Sequence, residues 1–154
     1  MKELKIQVEE FNIDYSHVLD HGDIQQWPSF FTDDAVYRIT SRENFDLALP
    51  GSIVYCCGLG MIRDRARAMA ETQYYAPRYL LHFNSNVRIN SHWDDIVEAQ
   101  SNFLLTETLV DKPTKLHLSG TYYDVFKKTD RLLLQHRTVV YDSNLINSAV
   151  ILPV

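Results

Sequence analysis

Cysteine is scarce in this 154-residue chain: there are two, and they are neighbours, Cys56 and Cys57. Adjacent cysteines rarely meet the geometry of one bridge, so no disulfide staple is expected and a reducing, cytoplasmic setting is the default. Long apolar runs are missing as well. Nothing approaches the roughly 18–20 residues a helix needs to cross a bilayer, so no membrane partner is expected. The opening MKELKIQVEEF alternates charged and apolar side chains and lacks the unbroken apolar stretch of a secretory signal. Basic clusters are absent too. Lys and Arg number 15 against 20 Asp and Glu, for a net charge of −5, and no patch offers a footprint for nucleic-acid phosphates. There is no repeat, low-complexity segment or interdomain linker. What remains is a single domain, residues 1–154, long enough to bury a core unaided.

Aromatic residues are plentiful, at 12% and led by nine Tyr, a residue favoured at interfaces for its area and polar tip. Leu4, Val8, Phe11, Tyr15 and Val18 recur at spacings of four and three, which predicts a helix. Gly22 supplies its C′ position, with His21 in the last turn where positive charge is favoured. Asp23, with Gln26 three residues on, resembles a capping box for a short second element that Pro28 limits or kinks. Trp27, Phe30 and Phe31 anchor that element to the core. After an Asp33-Asp34 turn, Ala35 to Thr40 reads as a strand. Ser41 to Gly60 shows no sustained period and reads as a long loop, a length that is usually functional or interfacial. Met61 to Glu71 reads as a helix with Ile62, Ala66 and Met69 on one face.

From Tyr79 the period changes to two. Leu80 to Ile89 is a strand, Asn90 to Asp95 a polar tip. A long strand follows, with Val97, Ala99, Ser101, Phe103 and Leu105 facing inward. Leu116 to Phe126 and Leu132 to Tyr141 complete the set. Helices first and a meander of antiparallel strands afterwards make an α+β fold. A strongly twisted sheet of this length wraps around helices, giving the cystatin-like or nuclear-transport-factor-2-like cone.

The interior of such a cone can be a pocket or a core. If a pocket, His82 with Asp34 or Tyr55 is the candidate acid–base set, as in cone-fold dehydratases and isomerases. If a core, Trp27, Phe30, Phe31, Phe83 and Phe103 plug it and His82 is a satisfied strand residue. A cone that binds aromatic ligands as a homotrimer is a third reading. His17 and His21 share a helix face with Asp14 and Asp20 nearby, but no converging carboxylate is implied. Arg63, Arg65 and Arg67 diverge by about 200° at each step of two, so the three do not form one cradle. Salt bridges or a partner subunit are the alternatives. Cys56 and Cys57 lack a nameable base and read as small packing residues.

Several local patterns carry a family likeness over nearly the whole chain. They are Gln26-Trp27-Pro28 through Tyr37-Arg38, Arg42-Glu43-Asn44, and Met61-Ile62-Arg63-Asp64-Arg65. Tyr141-Asp142-Ser143 follows, with the apolar ending Ala149 to Val154. Together the chain resembles the small (beta) subunit of a Rieske-type aromatic-ring-hydroxylating dioxygenase. The likeness runs to oxygenases for aromatic acids, such as terephthalate dioxygenase and salicylate 5-hydroxylase. One departure is Leu81-His82, where many relatives carry Arg-His.

The resemblance implies a division of labour. A large (alpha) subunit carries the Rieske [2Fe-2S] cluster, the mononuclear Fe(II) and the substrate pocket. Electrons reach it from a reductase, sometimes through a ferredoxin. The small subunit, with no cofactor of its own, forms a trimer and supports an α3β3 assembly. The residues agree on one point independently. A Rieske cluster needs two Cys and two His from spaced loops, and this chain has no Cys-x-His or Cys-x-x-His. Under this reading Arg42, Glu43 and Asn44 in the long loop, Arg63 and Arg65, and Tyr122, Tyr123 and Tyr141 are the candidate subunit contacts.

Overall fold

The computed structural model describes residues 1–71, 76–143, 145–146 and 149–154. Helix α1 spans Lys2–His21 and buries Leu4, Val8, Phe11, Tyr15 and Leu19, the stripe its spacing predicts. Asn12 and Ser16 are buried on that stripe as well. Gly22 ends the helix in an extended conformation, φ −89°, and not in the left-handed form expected of a C′ glycine. Its requirement is space: a Cβ there would lie 2.8 Å from the Val18 Cα.

Asp23 caps the next element through a 2.9 Å bond from the Gln25 N–H. That element, Ile24–Phe30, is a 3-10 helix, which tolerates the missing donor of Pro28 over its short length. Trp27 within it and Phe31 just after it are buried and pack edge to face, 5.2 Å between ring centres.

Strand β1 (Phe31–Ser41) begins earlier than predicted. Asp33 and Asp34 lie within it, at a register shift between Phe31 and Val36 rather than in a turn. The presumed loop holds two short elements, α2 (Arg42–Asp46) and β2 (Val54–Cys57). Helix α3 is Leu59–Glu71, with Ile62, Ala66 and Met69 buried as predicted.

Strands β3 (Arg78–Trp93), β4 (Ile96–Leu109), β5 (Lys115–Lys128) and β6 (Leu132–Tyr141) follow. The predicted polar tip is mostly strand, and the chain reverses at Asp94 with φ 49°. The sheet order is β2-β1-β6-β5-β4-β3. It is mixed rather than purely antiparallel, because β1 runs parallel to β6 while the other pairs are antiparallel. The parallel pair arises because the whole β3–β6 meander returns to lie beside the first strand. The α+β cone is otherwise as expected: α1 packs on β3, and α3 packs on β1 and the 3-10 helix.

Candidate functional site

The centre of the cone is occupied by Arg137. Its side chain is fully buried and grips the Asp124 carboxylate in two-pronged fashion, Nε and Nη2 each 2.8 Å from a carboxylate oxygen. Nη2 also donates to the Asn12 side-chain amide oxygen, Oδ1, at 2.7 Å. The guanidinium lies between the rings of Tyr15 and Tyr122, 4.3 and 4.2 Å from their centres. Burial works against the charge on Arg137, but the facing Asp124 more than offsets it and holds the pKa above its ordinary value.

A second chain of bonds closes the other side. The Trp27 indole N–H donates to the Tyr15 hydroxyl at 2.9 Å. Both Tyr15 and Tyr37 hydroxyls donate to the Val154 carbonyl oxygen, at 3.3 and 3.1 Å. The Val154 N–H returns to the Tyr37 hydroxyl at 2.9 Å. Burial pushes the phenols of Tyr15, Tyr37 and Tyr122 up, so they remain protonated at neutral pH. Large rings, one ion pair and Val154 fill the centre of the cone.

His82 does not meet the partners proposed for it. Its Nδ1 lies 2.6 Å from Asp20 at the end of α1, and its backbone N–H donates to the other oxygen of that carboxylate at 2.8 Å. Nε2 is buried and has no partner among the described residues. Asp34 is engaged elsewhere, by the Thr32 hydroxyl at 2.7 Å and Gln135 at 3.0 Å, which hold its carboxyl below the usual range. Tyr55 is exposed on β2, at the opposite edge of the sheet order from the β3 that carries His82. The four grooves outlined by Phe11 and Leu132, by Arg63 and Arg67, by Leu80 and Ile151, and by Tyr123 and His136 are not lined by His82 or Asp20. The sequence did show Asp20, but its pairing crosses from a helix end to a strand 62 residues away.

The rings of His17 and His21 are 5.5 Å apart, with Asp20 already committed to His82. Among the described residues no group of three His, Cys, Asp or Glu side chains could hold a metal ion. Cys56 and Cys57 alternate buried and exposed along β2 and so face opposite sides. Two such thiols cannot ligate one iron. Burial raises the Cys56 thiol, with Arg65 opposing, which makes it a poor nucleophile. The described residues do not fit a Rieske cluster or a mononuclear iron.

A family model described as the ring hydroxylating beta subunit matches residues 16–148, most of the chain. The chain belongs to that family. It is 30% identical to the small subunit of anthranilate 1,2-dioxygenase from Burkholderia cepacia over 137 residues, 88% of this chain and 85% of the relative. It is 31% identical to subunit beta 2 of the terminal oxygenase component of terephthalate 1,2-dioxygenase from a Comamonas species, over 97% of each chain. A solved structure from Novosphingobium aromaticivorans, described as the beta subunit of an aromatic-ring-hydroxylating dioxygenase, aligns with a TM-score of 0.90 at 28% identity. That alignment covers 99% of this chain and 98% of the other. The family likeness is borne out. A small oxygenase subunit implies a large-subunit partner.

The surface of this beta subunit redistributes the candidate contacts. Tyr122 is 0% exposed and stacks on Phe103, and Tyr141 is also buried, so neither presents a ring to another chain. The inward phase of their strands is the reason. Arg42 is used within the chain. It bonds Asp142 at 3.2 Å and the Tyr123 hydroxyl at 3.3 Å, while Phe45 stacks on the Tyr123 ring. Asn44 reaches the Gly51 carbonyl, and Glu43 is exposed. Arg65 is half-buried beside Cys56, whereas Arg63 and Arg67 both line one groove. Sequence reasoning missed two exposed apolar patches. One is on the outer sheet face, where Phe83 pairs across to Leu104, and Leu81 to Thr106 and on to Leu116. The other, at the far end of the sheet, comprises Leu47, Leu49, Ile53 and Tyr55. The strand alternation that buries Leu80 and Leu105 already places Leu81 and Leu104 outside.

Proposed function

We propose that this chain is the non-catalytic, structural small subunit of the terminal oxygenase component that hydroxylates an aromatic acid. Three copies join three large subunits as α3β3 in the cytoplasm. The large subunit holds the Rieske [2Fe-2S] cluster and the mononuclear Fe(II), and is supplied with electrons by a reductase, directly or through a ferredoxin. The observation that carries the scaffold role is the filled interior, where Arg137 is spent on Asp124 and Asn12 and the Tyr15 and Tyr37 hydroxyls are spent on Val154. The names of the anthranilate and terephthalate relatives support the aromatic-acid class.

The two apolar patches support self-association. They lie toward opposite ends of the strand order and differ in composition, as a head-to-tail contact that closes into a ring requires. Purification of the complex through a tag on this chain tests the proposal. Equal numbers of the two chains, with all iron in the larger one, are expected. Iron retained by this chain alone, or a large subunit that assembles and turns over normally without it, overturns the proposal.

A further inference from the structure

We propose that the groove between α3 and the 3-10 helix is the docking site for an acidic segment of the large subunit. This rests on the large-subunit partnership proposed above. Arg63 and Arg67 are four residues apart, one turn of α3, and so lie on one face. Both line an open groove of about 460 Å3. Gln25 and Ser29 contribute neutral polar groups from the opposite wall, and Phe31 and Leu59 contribute apolar surface. No Asp or Glu lines the groove.

Among the described residues neither guanidinium has a hydrogen bond or an ion pair. Arg38, Arg42, Arg78, Arg131 and Arg137 are bonded, whereas Arg65 and Arg88 also show no such bond among the described residues, so what sets Arg63 and Arg67 apart is that both line one groove. Two cations in a groove that no Asp or Glu lines are a local reversal of sign on a chain of net charge −5. The planar guanidinium presents a fork of donors matched to carboxylate oxygens, and the apolar surface between the walls suits a hydrophobic side chain next to them. The groove also differs in kind from the two apolar patches. Those are formed from apolar side chains and suit contact between like-charged copies of this chain, whereas the cationic rim calls for an anionic partner.

The test is co-expression of the large subunit with wild-type chain, Arg63→Glu/Arg67→Glu, or the milder Arg63→Gln/Arg67→Gln. Capture of the large subunit is measured across a salt series, beside thermal melting and native mass of each small chain alone. The charge-reversed chain should melt normally, keep its self-association and bind the large subunit at least about tenfold more weakly. The neutral pair should show a smaller loss and a flatter salt dependence. If wild-type chain captures the large subunit and both variants do so equally well at every salt, the groove is not the docking site. Loss of self-association with large-subunit binding retained assigns the groove to a second copy and also overturns the inference. Failure of wild-type chain to capture any large subunit overturns the partnership itself, an outcome distinct from the other two.

Discussion

Arg137→Met should destabilise the fold by about 3–5 kcal/mol, because it strands a buried carboxylate. The Asp124 and Arg137 side chains are 1% and 0% exposed, so water cannot replace the lost partner. Two 2.8 Å bonds and the 2.7 Å bond to Asn12 disappear together, as do the contacts to the Tyr15 and Tyr122 rings. For a domain of this size the loss corresponds to roughly 6–20 °C in melting temperature. The pH dependence gives a sharper check. Burial already pushes the Asp124 carboxyl above its ordinary 3.8, and without Arg137 it moves further up. A raised folded-state pKa means stability present at low pH and lost as pH rises through that value. The deficit should therefore be largest at neutral pH and shrink as the solution is acidified. Arg137→Met/Asp124→Leu removes both charges and should recover at least about half of the loss, since buried pairs are often replaceable by apolar side chains. Urea unfolding of the three proteins at pH 7 and pH 5 measures all of this. A deficit under about 1 kcal/mol, or a double variant no better than the single, refutes the reasoning.

Gly120→Ala should cost about 1–3 kcal/mol or more, because its Cβ would lie 1.9 Å from the Val140 carbonyl oxygen. Gly60→Ala in α3, with nothing within 4 Å, should instead be neutral or stabilising by about 0.5–1 kcal/mol, and urea unfolding of both reads the contrast. Burial lowers the His117 pKa from its ordinary 6.5, with Glu107 opposing and Arg78 adding to the effect. Its contribution is complete above pH 6.5 and is lost as pH falls, so a His117→Gln chain should lose less stability between pH 7 and 5 than wild type. His82→Asn should cost about 1–3 kcal/mol through its Asp20 pair, yet leave turnover per assembled oxygenase unchanged. A large fall in turnover at full assembly would return His82 to the catalytic candidates.

The parts of the fold with local periodicity were legible. Leu4, Val8, Phe11 and Tyr15 announce α1, and the alternation from Val97 to Leu105 marks the inner face of β4. Elements held by distant contacts were not. The segment after β1 is pinned by Arg38, whose Nη2 donates to the carbonyls of Leu49 and Gly51, and by Asn44 reaching back to Gly51. Those bonds stabilise α2 and β2 without leaving a period in the sequence. The central ion pair was hidden for a different reason. In β6 the inward positions are Leu132 and Leu134, then Arg137 and Val139, because the register slips between Val125 and Phe126 on the facing strand. Counting by twos from Leu134 places His136 inside and Arg137 outside, the reverse of the structure. Asp124 was the available signal, a carboxylate in phase with Leu118, Tyr122 and Phe126.

That slip explains why a scaffold would retain an ion pair that adds little net stability. A strand shifted by one residue turns every side chain to the other face. Asp124 and Arg137 are direct cross-strand partners just beyond the irregularity, where the phase of β6 must be reset. A carboxylate and a guanidinium that satisfy each other only in this register penalise the shifted one, which would bury one charge unpaired. Asn12 adds α1 to the same decision, since it accepts from Arg137 and donates to Ser101 of β4 at 3.2 Å. Tyr15, stacked on Arg137, extends it to Trp27 and to Val154. One polar cluster thus sets the relative placement of α1, β4, β5, β6 and the C-terminal residue. The outer-face positions of β4, including Leu104, inherit their placement from it. Fixing such a surface is what the proposed assembly requires of this chain.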